Sequence, residues 1–195
     1  NEPATIEFRY GKDSASLEGR SDTIQTESSH DFTGWTTLQN LLSDTEYVVQ
    51  VFIDGNPIGV PATFRTLPDS DALRDETHNP RGLFNFSFTF GSCANQNPLH
   101  GIGPSLPTYT TLLDQHADEV DFQIMNGDWL YEELRTTPVT AWAEKQGVDV
   151  DQLPEVVVDM PTIVGVWENY KLYLDRGTNL SRWHRTVPGV FTFDD

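Results

Sequence analysis

Hydrophobic and polar positions alternate with a period of two in the first third of the chain. Ala4 to Tyr10 alternates around Ile6, Phe8 and Tyr10, and Trp35 to Leu38, Tyr47 to Ile53 and Ala62 to Leu67 are further short apolar runs, a pattern that predicts strands. Asp54-Gly55-Asn56-Pro57 is a turn signal between two of them. Together they predict an antiparallel β-sandwich. From Phe84 the pattern changes. Phe84, Phe86, Phe88 and Phe90 alternate into Gly91-Ser92, and a second apolar run, Val120 to Met125, ends at Asn126-Gly127-Asp128. Between them Ser105 and Pro107 start a predicted helix that runs through Tyr109, Leu112 and Leu113 to about His116. Strand, helix, strand is a parallel α/β unit, and such units bind ligands beyond the carboxyl ends of their strands. Gly91-Ser92-Cys93 and Gly127-Asp128 both fall at that edge.

Further on, Pro138 opens a predicted helix, Asp149 to Pro154 reads as loop, and Val164 to Asp175 has helical spacing with Gly177 as its stop. A last apolar run, Val190 to Phe193, leads into Asp194-Asp195. The sequence shows no internal repeat and no low-complexity tract. Pro68 to Gly82 is polar and rich in breakers, as an exposed linker is. The expected organisation is therefore mixed β and α/β: a sandwich over 1–68, a linker over 69–82 and an α/β domain over 83–195. Leu41-Leu42-Ser43-Asp44-Thr45-Glu46-Tyr47 resembles the corner of fibronectin type III domains in which a tyrosine hydroxyl bonds back to upstream backbone, with Ser43 where proline is commonest. The unit is shorter than the ~100 residues typical of such sandwiches, which places its first strand upstream.

Charge narrows the function classes. Thirty Asp plus Glu against 12 Lys plus Arg give a formal net charge of -18, so a nucleic-acid backbone is repelled rather than steered in. A single cysteine, Cys93, excludes an intrachain disulfide. No apolar run approaches the roughly 20 residues that span a bilayer, and the sequence begins at Asn1 without a charged-then-apolar stretch. The expectation is a soluble piece trimmed at its front.

Three predicted strand ends offer metal-ligating groups: Cys93 after the first, Asp128 after the second and Asp194-Asp195 after the last. An aspartate after a strand-end glycine can aim its carboxylate at a cation. Taken singly, each has a plainer reading: Asp128 as a turn residue capping the next segment, Cys93 as a small buried hydrophobe, Asp194-Asp195 as an acidic chain end. Tyr170, Tyr173, Arg176, Arg182, His184 and Arg185 populate a helical region, where an arginine either contacts phosphate or lies solvated on a helix that covers the sheet. Trp167 and Trp183 read as packing, and Glu132 as a helix-start carboxylate.

Four segments in order, Phe88-Thr89-Phe90-Gly91-Ser92-Cys93-Ala94-Asn95, Pro107-Thr108-Tyr109, Asn126-Gly127-Asp128-Trp129-Leu130-Tyr131-Glu132 and Phe193-Asp194-Asp195, resemble PhoD-like alkaline phosphatases of the metallophosphoesterase superfamily. The fibronectin-like unit and its closing Phe64-Arg65-Thr66-Leu67-Pro68 look like that family too. The resemblance implies a fibronectin III-like sandwich followed by the first half of a four-layer αββα domain, in an extracellular or periplasmic protein. It implies Fe3+ and Ca2+ as cofactors: Cys93 and Tyr131 as ligands of the ferric ion, Asp128 bridging the metals, and Asp195 on the second metal. Thiolate, phenolate and carboxylate are anionic donors suited to a trivalent cation, with oxygen ligands for a calcium-like partner. Two cations about 3.5 to 4 Å apart activate a water and clamp an in-line displacement at phosphorus.

The family's next motif residues, a His and a Glu, would be residues 196 and 197, and the sequence runs to 195. The first expectation is thus a hydrolase of phosphate mono- or diesters, here truncated. The second is a catalytically inert fragment or a binding or structural module. A third, Cys93 as nucleophile with His100 or His116 as base, has no motif that places a base beside the thiol.

Overall fold

The computed structural model describes residues 3–192, so the expectations placed on Phe193, Asp194 and Asp195 lie outside the described residues. Five strands form an antiparallel sheet in the order β2-β1-β4-β5, with β3 also paired to β1: β1 (Thr5–Gly11), β2 (Gly19–Arg20), β3 (Ile24–Gln25), β4 (Glu46–Ile53) and β5 (Asn56–Arg65). The β4–β5 hairpin closes on Asp54-Gly55, with φ of 48° and 83°, the two positive values that a two-residue type I′ turn needs. β5 begins six residues before the Ala62 of the apolar pattern, because its Pro57 and Pro61 interrupt that pattern without ending the strand. The ladder shifts register between Val49 and Val51, and an edge strand tolerates residues without an N–H. Trp35 to Leu38 forms no strand and Trp35 is 84% exposed, so aromatic content without a pairing partner misled there.

The tyrosine corner forms. Tyr47 is buried, its ring stacks on Phe64 at 5.5 Å, and its hydroxyl accepts the Leu42 N–H at 2.9 Å. The segment 69–82 is held by local side-chain bonds. Asp75 Oδ1 accepts from the backbone N–H groups of Thr77 and His78, and Asn79 bonds the backbone of Leu73 and Leu83.

The second sheet is parallel, in the order β6-β7-β8: β6 (Phe88–Gly91), β7 (Phe122–Asn126) and β8 (Gly189–Thr192). Between β6 and β7 runs α1 (Pro107–Gln115), started by Pro107 as expected. Four α-helices and one 3-10 turn (Val150–Gln152) lie between β7 and β8: α2 (Val139–Gln146), α3 (Glu155–Asp159), α4 (Ile163–Arg176) and α5 (Thr178–Thr186). α2 ends on Gly147, left-handed at φ 70°.

One sheet face packs under α1 and α5. Met125, Tyr109, Leu180, Trp183 and Val187 form that core, and the buried Gln123 amide bridges the Trp183 indole and the Tyr109 hydroxyl. The opposite face carries Phe88, Phe90, Phe122, Ile124 and Val190, by the strand alternation and the pairs Phe88↔Phe122 and Ile124↔Val190. Phe86 and Phe88 stack on Phe122 at 5.6 and 5.5 Å, and Phe90 is 67% exposed. An apolar face of this kind is a packing surface rather than a solvent face.

The two sheets are joined through Asp31. This left-handed residue (φ 51°) follows a single 3-10 turn at Ser28–His30, and its carboxylate is buried. It accepts from the Trp142 indole N–H of α2 at 3.2 Å and from Lys171 Nζ of α4 at 2.7 Å. Lys171 also pairs with the largely buried Glu168, which a second lysine, Lys145, neutralises further. On the other side β5 touches α5, where Thr63 bonds the Thr186 carbonyl.

Removing one member of a buried charge pair strands the other and orphans its neighbours. Asp31→Ala is expected to lower the unfolding free energy by about 3 kcal/mol, read from urea midpoints. Adding Lys171→Met should cost less than the sum of the two single changes. A loss below about 0.5 kcal/mol, the range of an ordinary surface change, would show that Asp31 does not hold the two sheets together.

Candidate functional site

Both candidate turns leave their strands in the left-handed region. β6 ends at Gly91 and, two residues on, Cys93 has φ 62°. β7 ends at Asn126 and, two residues on, Asp128 has φ 49° after Gly127 at 82°. Positive φ is costly for a residue with a Cβ and persists where the surroundings impose it. Here the two turns impose it on each other: the Ala94 N–H donates to the Asp128 carbonyl at 2.9 Å. Neighbouring parallel strands thus present a thiol and a carboxylate side by side at the carboxyl edge of the sheet.

The side chains converge on one oxygen. Cys93 Sγ lies 3.1 Å from Asp128 Oδ2, and the Tyr131 hydroxyl donates to the same Oδ2 at 2.7 Å. The Ser92 hydroxyl is 3.3 Å from Cys93 Sγ. Cys93 is exposed, while Asp128 and Tyr131 are half-buried. The Tyr131 phenol is pushed far above its usual range, first by its bond to the Asp128 carboxylate, then by burial and by Cys93. A thiol and a phenol that both aim protons at one carboxylate are the protonated counterpart of a thiolate, phenolate and carboxylate set, and such a set suits a hard or borderline cation. Among the described residues no group of three or more His, Cys, Asp or Glu side chains is gathered for a metal ion. The cluster here has two of those types, and its third member is the tyrosine. Asp195 lies outside the described residues.

A polar scaffold fixes the segment that carries Tyr131. The buried Asn169 of α4 accepts the N–H groups of Glu133 and Leu134 at 2.9 Å each. α4 comes this close because Gly165 has no side chain: a Cβ there would lie 2.6 Å from the carbonyl oxygens of Leu134 and Arg135. Arg176 forms a two-pronged pair with Glu133, bonds the buried Gln96 at 3.2 Å and covers the Tyr173 ring. Its guanidinium is therefore structural, and Glu133 is held below the usual carboxylate range by it. Gln96 in turn donates to the Tyr173 carbonyl at 3.1 Å, tying the Cys93 loop to α4. Nothing in the hydropathy pattern marks Gln96 or Asn169. Asn169 is revealed only by its place on the buried face of α4 with Glu168 and Tyr173, and Gln96, in the loop after β6, only by its contacts.

The remaining candidates sort out as follows. Glu132 pairs with Arg135 at the surface. Trp183 is a core residue and Trp167 packs on Trp142 at 5.5 Å. Arg182 and Arg185 line a shallow groove with Lys171 and His184. Tyr170 stacks on Trp129 at 5.4 Å. His116 pairs with Glu119, His100 is exposed, and neither is a hydrogen-bond partner of Cys93. A cavity of about 320 Å³ flanks the thiol, walled by Phe90, Ile102, Leu106 and Tyr109.

No protein-family model matches the sequence, and no curated protein does. A solved structure described as that of PhoD matches 100% of this chain with a TM-score of 0.66 at 17% identity. The chain spans 32% of that structure's chain. The likeness is one of fold.

Titration of the half-buried His184 gives this region a pH signature. Burial holds its pKa below 6.5, so the unfolded chain takes up the proton first. Stability is then full above about pH 6.5 and falls as the pH drops toward the folded value. The carboxylates held low, such as Glu133 and Glu168, lose their contribution only at lower pH still. Melting temperatures taken from pH 8 to 5 should fall for the wild type and be flatter for His184→Gln. Equal slopes would show that another group carries the effect.

Proposed function

We propose that this chain is the front part of a metal-dependent hydrolase of phosphate mono- or diesters, related to the PhoD-like alkaline phosphatases and phosphodiesterases. In this reading Cys93, Asp128 and Tyr131 hold a ferric ion, with Asp128 shared toward a calcium-like second site to which Asp195 belongs. One observation carries it: the Cys93 thiol and the Tyr131 phenol meet on a single Asp128 oxygen at the carboxyl edge of a parallel sheet. These are the three described positions that match the family's metal ligands.

Several features support the finer outline. The Tyr47 corner and the antiparallel sheet favour a fibronectin III-like domain over 1–68, and the turn-rich 69–82 a connection. For 83–195, the three-stranded parallel sheet with helices on one face and an open apolar face favours the first half of a four-layer αββα domain, whose second sheet would need such a face. An extracellular or periplasmic location goes with that resemblance.

The chain's own residues would act chiefly as anionic donors. Cys93 and Tyr131 give up the protons that they now direct at Asp128, so binding releases protons and strengthens as the pH rises. The turns that hold Cys93 and Asp128 are already formed by the sheet and by the Ala94 bond, which keeps the ordering cost low. Bound cations would supply an activated water and positive charge against the phosphoryl oxygens. A phosphate ester, itself anionic, would otherwise be repelled by a protein of formal net charge -18.

A second reading, an inert fragment or a binding or structural module, has one observation in its favour: the described residues contribute only two His, Cys, Asp or Glu side chains to the cluster. Metal analysis and turnover separate the two. Under the first reading the full-length protein binds iron, shows the visible absorption of a ferric phenolate and hydrolyses p-nitrophenyl phosphate or its bis ester. Cys93→Ser and Tyr131→Phe should each weaken iron binding by about tenfold or more, and Tyr131→Phe should remove the phenolate-to-iron band. Absence of iron, calcium and turnover in the full-length wild type would leave the inert module standing.

A further inference from the structure

The Asp128 turn and the start of β8 share a neighbour that the metal-site reading does not use. Trp129, next to Asp128, donates its indole N–H to His184 Nε2 of α5 at 3.0 Å. The indole also stacks on Tyr170 at 5.4 Å and lies 6.3 Å from Phe191 of β8. An indole nitrogen only donates, so Nε2 is the acceptor and, in the neutral ring, the hydrogen sits on Nδ1. That other side of the ring rests against Gly189, the first residue of β8, where an added Cβ would lie 3.3 Å from Nδ1. His184 therefore reaches the Asp128 turn through Trp129 and β8 by direct contact. It touches none of the three donor side chains.

We infer that His184 is a positioning residue of the candidate metal site, fixing through Trp129 the left-handed turn that presents Asp128 and Tyr131 to Cys93. The inference rests on the metal-site reading proposed above. Asp128 at φ 49° is held from one side by the Ala94 N–H, and the Trp129–His184 bond is the anchor immediately C-terminal to it. Losing that anchor frees the turn to relax toward negative φ, which separates the carboxylate oxygen from the thiol and the phenol. Burial keeps the ring neutral, the form in which Nε2 can accept.

Three variants test it: His184→Ala, which removes the acceptor; His184→Gln, whose amide oxygen replaces Nε2; and Trp129→Phe, which keeps a ring and loses the N–H. Iron uptake is measured by titration with ferric citrate, followed by visible absorption. The Trp129 indole N–H is followed by NMR exchange in the metal-free protein. Expected are an iron affinity lowered about tenfold in His184→Ala and Trp129→Phe, near-complete rescue in His184→Gln, and faster indole exchange in His184→Ala alone of the two His184 variants. A purely structural role would instead lower the melting temperature of the two His184 variants alike and leave the affinity of the folded fraction unchanged. Wild-type affinity in folded Trp129→Phe, or a His184→Gln no better than His184→Ala, overturns the inference. Should the wild type take up no iron, the metal-site reading fails and the role at a metal with it, while the indole exchange still reports whether His184 holds the turn.

Discussion

Cys93 and Asp128 sit in a backbone conformation that neither would adopt alone, and the rest of the site follows from that. Each leaves a parallel strand two residues beyond its last ladder position, and the Ala94 N–H to Asp128 carbonyl bond closes the gap between the two turns. With the backbones locked, the side chains have little choice of direction. The thiol and the carboxylate face each other at 3.1 Å, and Tyr131, three residues after Asp128, folds back onto the same oxygen. A parallel sheet makes this possible because both strands run toward the same edge.

Behind the turns stands a polar layer rather than an apolar one. Gln96, Asn169, Glu133 and Arg176 are connected by side-chain and backbone bonds that join the Cys93 loop, the segment after Tyr131 and α4. Hydrogen-bonded groups of this kind fix orientation more sharply than aliphatic packing where they are satisfied, and here the Asn169 Oδ1 is, while its buried Nδ2 has no hydrogen-bond partner among the described residues. The Asp31 cluster does the same for the antiparallel sheet, whose loop residue bonds a tryptophan and a lysine more than a hundred positions away.

What was legible in the sequence was local. Pro107, Pro138 and Gly177 marked helix ends, Asp54-Gly55 marked a hairpin, and the period-two runs before Gly91 and Asn126 marked the parallel strands, because each signal acts over a few residues. Two-residue strands such as β2 and β3 have no period to read, and α5 is hidden by its Arg and His content. The candidate site was legible in part: the strand ends named Cys93 and Asp128, and family resemblance added Tyr131. The contributions of Asn169, Gly165 and His184 depend on contacts between segments far apart in sequence, which no local pattern records.

Electrostatics gives the last step. Every influence on the Tyr131 phenol, from Asp128, from burial and from Cys93, pushes its proton affinity upward. Two cations of α4 serve the scaffold: Arg176 pairs with Glu133, and Lys171 with Asp31 and Glu168. The Tyr131 phenol therefore keeps its proton and donates it to the Asp128 carboxylate. A cation brought to the cluster would displace that proton, and this is the part that the proposed function assigns to the metal.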